Sequence, residues 1–197
     1  ENESAESIAK LRAAKELFYP LYLSPEFILK TADKAIDFHL YFIHQARVKM
    51  VMTLLPASKI IVDLGGANGS IVDMGYPYAF EKITVVDLPP EDRCEMYKDI
   101  QLKPRETANG PIYISYGSMT DLSAFPDNSV DLVWSGESIE HINEDDSKKV
   151  FAETKRILKK KGFFCLDTPN RLLTEIHTAW RGGDYIHPEH KKEYYPE

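Results

Sequence analysis

The sequence predicts an α/β fold, a doubly wound and mostly parallel sheet preceded by an N-terminal helical cap. Three observations predict it. The first third of the chain carries helical periodicity. From residue 58 onward, short runs rich in β-branched residues alternate with helical segments. The first of those runs breaks into a glycine-rich turn. The expected division is a cap over residues 1–57 and a core over 58–197.

In the cap, Ser24-Pro25-Glu26 is a helix start: a capping hydroxyl, a proline at the first helical position and an acid in the first turn. No glycine or proline interrupts the chain from there to Leu55. Ile28, Ala32, Ile36, Leu40, Ile43, Val48, Val51 and Leu55 recur at helical spacing, and Pro56 ends the pattern. A shorter helix is expected over residues 5–18. Phe38, His39, Tyr41, Phe42 and His44 either reach the active-site pocket or pack on the sheet.

The expected strands are Lys59–Leu64, Lys82–Leu88, Pro111–Tyr116, Val130–Ser135 and Gly162–Asp167. Helices are expected at about Pro90–Leu102 and Glu144–Lys160. Asn143 would cap the second, Asp145 and Asp146 would stand in its first turn, and Lys159-Lys160-Lys161 would end it, as the helix dipole favours. Strands alternating with helices put helices on both faces of a parallel sheet, and ligands at the carboxyl ends of the strands.

Composition narrows the function. Of 197 residues, 43% are apolar, which is enough for a core, and 28% are charged. No apolar stretch approaches the ~18 residues a membrane span needs. The net charge of −7 argues against a nucleic-acid partner. Glu1-Asn2-Glu3-Ser4 has no basic-then-apolar leader, and Cys94 and Cys165 lack metal spacing; both read as reduced thiols of a cytoplasmic protein.

The strongest signal is Ile61-Val62-Asp63-Leu64-Gly65-Gly66-Ala67-Asn68-Gly69-Ser70. The dinucleotide-binding spacing G-x-G-x-x-G fails here, because Ala67 and Ser70 fall on its second and third glycines. Asp63-x-Gly65-x-Ala67-x-Gly69 instead resembles the first motif of class I S-adenosylmethionine (SAM) methyltransferases of the methyltransferase 11/12 type, whose fold is Rossmann-like. The resemblance continues in order through Asp87, Gly117–Leu122, Asp127–Val133 and Arg156–Phe163.

It implies SAM as cofactor and S-adenosylhomocysteine as product, with Asp63, Gly65, Gly66, Ala67, Asn68 and Gly69 in the binding turn. Asp87 would accept hydrogen bonds from the ribose hydroxyls beside Leu88, because a carboxylate offers two acceptor oxygens and no donor. Ser118 and Met119 would meet the adenine, and Ser135 and Gly136 would line the pocket. Two departures stand out: Ala67 replaces the middle glycine, and Ser118 stands where many relatives carry aspartate.

Trp134-Ser135-Gly136-Glu137-Ser138-Ile139-Glu140-His141-Ile142 follows the fourth run. If 137–142 begin a helix, Glu137, Glu140 and His141 share a face. Three readings are open. In one, these residues hold Mg²⁺ or Mn²⁺, as in small-RNA terminal ribose methyltransferases, which the segment resembles; His177, His187 or His190 would add a ligand. In the second, no metal is bound and His141, Glu140 or Glu137 acts as general base or orients the acceptor. In the third, the segment lines the SAM pocket, as the similar Glu-His of ubiquinone-pathway O-methyltransferases suggests.

The tail from Thr168 through His177, Trp180-Arg181 and His187–Glu197 is rich in aromatic and ionisable residues, a lid for an acceptor or an ordinary surface crossing. Tyr195-Pro196-Glu197 resembles the start of the family's next helix, so the core is expected to be cut short at its C-terminus, as one module of a longer protein. The expected function is methyl transfer from SAM to an acceptor hydroxyl of a small molecule or glycan, with a sugar hydroxyl of a surface glycan as the most specific form. The alternatives are a non-catalytic SAM-binding module that regulates or scaffolds a partner domain, and a metal-dependent ribose O-methyltransferase.

Overall fold

All five runs become strands, and the middle ones are largely buried, as strands of a parallel sheet are. The computed structural model describes residues 46–66, 70–93, 97–172, 174–175 and 187–195. The chain divides into two units, Glu1–Pro56 with Met74–Tyr76, and Ala57–Asp73 with Pro77–Glu197. In the first unit, residues 46–54 form helix α1, which stops ahead of Pro56. The Tyr76 hydroxyl donates to the Pro56 carbonyl at 2.7 Å. The expected features at 5–18, Ser24–Glu26 and Phe38–His44 lie outside the described residues, as do Ala67, Asn68, Gly69, Cys94, His177, Trp180 and Arg181.

The second unit holds the sheet: β1 (Ile60–Leu64), β2 (Lys82–Asp87), β3 (Arg105–Thr107), β4 (Gly110–Tyr116), β5 (Val130–Gly136) and β6 (Leu158–Asp167). Its order is β3-β4-β2-β1-β5-β6. All pairings are parallel except β3 on β4. Val62, Leu64, Val86, Val133 and Ile139 pack into one buried cluster with Val150 and Ile157. After β1 the chain builds outward through β2 and β4, and β5 then returns to the other side of β1. The β1/β5 boundary is therefore the switch point, where a crevice opens at the carboxyl ends.

The helices are α2 (Ser70–Asp73) and α3 (Glu144–Ile157). Asn143 caps α3 as expected, its side chain accepting the Asp146 N–H at 2.9 Å. The lysine run does not end the helix. The N–H groups of Asn128 and Ser129 bond the Arg156 and Ile157 carbonyls at 3.0 and 2.8 Å, closing α3 there. Lys159-Lys160-Lys161 belongs to β6, which pairs with β5 through an irregular register between Val130 and Leu132.

The helix expected over Pro90–Leu102 is replaced. Among the described residues only a 3₁₀ turn, Pro90–Asp92, forms there. It ends where Arg93 adopts extended backbone (φ −82°, ψ 156°). Arg93 is buried, and its guanidinium donates to the carbonyls of Leu88 and Ile100 at 2.8 and 2.7 Å. Those side-chain bonds take the place of a helical ladder. The short hairpin strand β3 carries no apolar run to announce it.

Candidate active site

The first half of the site is made by strand ends. Asp63 lies wholly buried one residue before the end of β1. Gly65 then turns left-handed at φ +66° and donates its N–H to the Val86 carbonyl at 2.8 Å. A Cβ at Gly65 would lie 2.6 Å from Ser138 Cβ, and one at Gly66 would lie 2.5 Å from the Asp63 carboxyl. Neither position has room for a side chain. The Met119 methyl lies 3.5 Å from the same Gly65 position, so the segment after β4 reaches the glycine turn.

Asp87 ends β2. Its Oδ1 accepts the Leu88 N–H at 2.7 Å and lies 3.6 Å from Nε of Arg93. Leu88 itself is exposed, and a Cβ at Gly117 would meet open space. A part-buried carboxylate beside an exposed apolar side chain and an open glycine fits the sugar and base of a nucleoside. Ser118 is exposed; its hydroxyl lies 2.8 Å from that of Thr120 and accepts the Thr120 N–H at 3.2 Å. Ser135 is fully buried. Its hydroxyl donates to Ser138 Oγ at 2.6 Å, which in turn donates to the Leu64 carbonyl at 2.9 Å. Its side chain thus braces the turn from beneath, and Gly136 ends β5 opposite Asp167.

The second half is made by side chains. Residues 137–142 do not begin an α-helix. Glu137 takes a left-handed φ of +50°, with its N–H bonded to Asp167 Oδ1 at 2.9 Å, and a single 3₁₀ turn follows over Ile139–His141. The helical face expected for Glu137, Glu140 and His141 therefore does not form. The tail instead gathers a different set. Lys191 and Lys192 donate their N–H groups to the Glu140 carbonyl at 2.8 and 3.2 Å, bringing His187 and His190 to His141. The His141 ring lies 5.0 Å from His190 and 5.7 Å from His187, edge-on to both, and His187 stacks on His190 at 5.1 Å.

One nitrogen or oxygen from each of Glu140, His141 and His190 lies within 4.8 Å of the others, the one such group among the described residues. Glu137 is not part of it. Glu140 is completely buried; Oε2 accepts from the Thr168 hydroxyl at 3.1 Å, and the described residues give Oε1 no hydrogen-bond partner. Burial, with the Glu137 and Asp167 charges behind it, pushes the Glu140 carboxyl up to about 8. Burial and the neighbouring His190 and His187 push His141 down to about 4. Near neutral pH the pair is largely uncharged. Burial lowers His187 as well, and its Nδ1 accepts the Glu189 N–H at 3.3 Å. Cys165 is a free thiol that burial pushes up to about 11, out of the nucleophilic range.

The sequence reading missed Arg93, Thr168, Ser138 and the buried Glu193. None carries a local motif; Ser138 and Thr168 act through partners distant in the chain, Arg93 through nearby main-chain carbonyls, and Glu193 through His190 and Thr174.

With that geometry in place, the comparisons identify the class. The methyltransferase domain family matches residues 62–166, more than half of the chain, and the chain belongs to that family. The cofactor of that family is SAM, with S-adenosylhomocysteine as its product. A SAM-dependent methyltransferase from Archaeoglobus fulgidus is similar in fold, with TM-score 0.56 and 16% identity, covering 88% of this chain and 69% of that one. A methyltransferase solved with the Trm112 activator from Haloferax volcanii gives 0.53 and 23%, covering 79% and 66%. Small RNA methyltransferase HEN1 gives 0.55 and 19%, covering 79% of this chain and 20% of that one. Other solved relatives are spanned over 50–61% of their length. No curated protein sequence matches the chain. Among the described residues, no helix is long and apolar enough to cross a membrane.

Proposed function

We propose that this protein transfers a methyl group from SAM to an acceptor hydroxyl, with a sugar hydroxyl as the preferred class. The observation that carries the proposal is the cluster of Glu140, His141 and His190 close to one another after β5. Asp87 and the Gly65–Gly66 turn would hold the cofactor's sugar and amino-acid ends, and Leu88 and Met119 would pack on its base. SAM supplies the methyl as a sulfonium, whose C–S bonding pair returns to sulfur as the acceptor oxygen takes the carbon. The protein's own task is alignment and proton removal.

A neutral alcohol needs a proton acceptor as its oxygen attacks, whereas a thiolate needs none. An imidazole of this cluster supplies a lone pair, and the raised Glu140 carboxyl can donate to the acceptor or orient it. Glu137 acts by charge, helping to keep Glu140 protonated. A cluster whose Glu140 and His141 are largely uncharged near neutral pH suits a polyol better than an ammonium or a phosphate.

A divalent cation is the second reading, favoured by the same three ligand atoms and by the buried Oε1 of Glu140. Two imidazoles and a carboxylate suit Mn²⁺ or Zn²⁺ better than Mg²⁺. Such an ion would deprotonate Glu140 and lower the pKa of the bound hydroxyl.

The deciding measurement is turnover with methyl-labelled SAM on methyl glycosides of common hexoses, alongside alkylamines and thiols, with and without EDTA. Label in the glycosides supports the hydroxyl reading. Label only in amines or thiols overturns it. SAM binding by calorimetry with no turnover on any class would favour the non-catalytic module. Turnover unchanged by EDTA removes the metal reading.

A further inference from the structure

Three places outside the motif-bearing strand ends hold unusual side-chain chemistry: the lysine-rimmed surface at Phe151 and Phe164, the half-buried Cys165, and the tail carboxyl Glu193. The last is tied directly to the proton-handling cluster.

Glu193 has a wholly buried side chain. One oxygen, Oε1, lies 2.5 Å from Nδ1 of His190. The other accepts from the Thr174 hydroxyl and lies 3.9 Å from the Arg171 guanidinium. The second oxygen therefore faces a donor hydroxyl and a cation. A carboxylate held this way only accepts hydrogen bonds, so the ring nitrogen facing it must carry the proton. His190 is then an Nδ1–H imidazole, and the nitrogen left for the cluster is Nε2, with its lone pair. The tail segment that carries both residues is anchored between them and just after them. Lys191 and Lys192 bond the Glu140 carbonyl, and the Tyr194 hydroxyl lies 3.0 Å from that of Ser147 on α3.

His141 has no such orienter. Around it stand two more imidazoles, the Glu140 carboxyl group, and the main chain and charge of Glu189, with Glu140 shared with His190 in the same cluster. An imidazole backed by a buried carboxyl group is the arrangement that fixes a tautomer and stabilises the imidazolium formed when a proton arrives.

We infer that Glu193 is a positioning residue, which fixes His190 as the imidazole that takes the acceptor's proton, with Thr174 holding the far oxygen of Glu193. This rests on the hydroxyl-transfer reading. The acceptor O–H proton passes to Nε2 of His190 as the oxygen's electron pair forms the new C–O bond. The positive charge then sits on an imidazolium facing Glu193.

The test compares the full wild-type chain with Glu193→Gln. Long-range nitrogen–proton NMR reads the His190 tautomer, and kinetics on methyl glycosides read its consequence. We expect an Nδ1–H tautomer in the wild type with a low-field proton, lost in Glu193→Gln. SAM affinity should stay within about twofold, while kcat falls roughly tenfold or more at little-changed KM. An Nε2–H tautomer in the wild type overturns the inference, as does a folded Glu193→Gln chain with wild-type kcat. The tautomer needs no acceptor to be measured. Failure of the wild type to methylate glycosides therefore counts against the hydroxyl reading, and the spectrum still decides the pairing. Should Glu193→Gln not fold, the wild-type tautomer decides by itself.

Discussion

The two halves of the proposed site, one for the cofactor and one for the acceptor, are built by opposite means. The cofactor half is main chain at strand ends: a left-handed Gly65, a second glycine with no room for Cβ, and an acid closing β2. Each part depends on residues within a few positions of it and on the parallel register of β1, β2 and β5. The acceptor half is side chains drawn from remote segments, Glu140 and His141 after β5 and His190 with Glu193 from the tail. A turn can be specified by residue type at a fixed spacing. A charge cluster needs the tertiary fold to bring its members together, and burial to set their protonation.

The largest expected effect breaks the first half alone. Gly65→Val places a branched side chain at φ +66° and against Ser138. The left-handed backbone and the overpacking together should cost about 2–5 kcal/mol of stability. SAM binding should vanish by calorimetry in whatever fraction folds. Normal affinity in a folded variant would show that the turn tolerates bulk and holds no ligand.

His141→Ala separates the halves next. Turnover on the glycoside acceptors should fall roughly tenfold or more, because His141 lies edge-on to the His190 ring that takes the proton and lines the acceptor cluster with it. SAM affinity should hold, because the cofactor residues lie on other strand ends. Equal losses in both would mean that His141 only lines the cofactor pocket.

The same contrast explains what could be read in advance. The five parallel strands were legible because continuous β-branched runs flanked by turns have few other homes. Asp63, Gly65 and Asp87 were legible because an acid and glycines at that spacing answer to backbone geometry. Glu140 and His141 stand out in the sequence as an adjacent acid and imidazole, but a helical face does not form there, since Glu137 enters a left-handed turn that periodicity does not foresee. The helix expected after Pro90 failed because one arginine captures two carbonyls across the loop. The lysine run was assigned to α3 because charge suits a helix end, yet turn residues 128 and 129 had already taken the helix's carbonyls. Glu193 carried no signal, because its partners, His190 and Thr174, form no motif with it.

Asp87→Ala sharpens the cofactor side. The carboxylate should contribute about 1.5–3 kcal/mol to SAM affinity, as hydrogen bonds to a charged group do. Arg93 adds a complication that the variant exposes. It lies 3.6 Å from Asp87 while bonding Leu88 and Ile100, so removing Asp87 leaves a buried guanidinium without that nearby charge. Asp87→Asn keeps the shape and removes the charge. Comparing the two variants by calorimetry and by denaturant midpoint divides lost ligand contacts from a loosened loop. If both bind SAM as tightly as the wild type, Asp87 makes no ribose contact.

The smallest effect belongs to the end of the sheet away from the site. Asp131 Oδ2 accepts the N–H groups of Lys59 and Ile60 at 3.2 and 2.8 Å, and Oδ1 accepts from Lys159 Nζ at 2.8 Å, so one carboxylate joins the starts of β1, β5 and β6. Burial pushes its pKa up, but the Lys159 and main-chain hydrogen bonds outweigh that and hold it below the ordinary carboxylate value. A depressed folded pKa gives stability that is complete above the unfolded value, near 3.8 for this group, and is lost as pH falls through the folded one. Asp131→Asn should therefore cost about 1 kcal/mol at pH 7 by denaturant titration, and the gap to wild type should narrow in acid below about pH 4. SAM affinity and turnover should not move, because this end of the strands faces away from the crevice. A gap that persists unchanged well below the ordinary carboxylate range would mean that the strand starts are held by shape, with the charge of Asp131 contributing nothing.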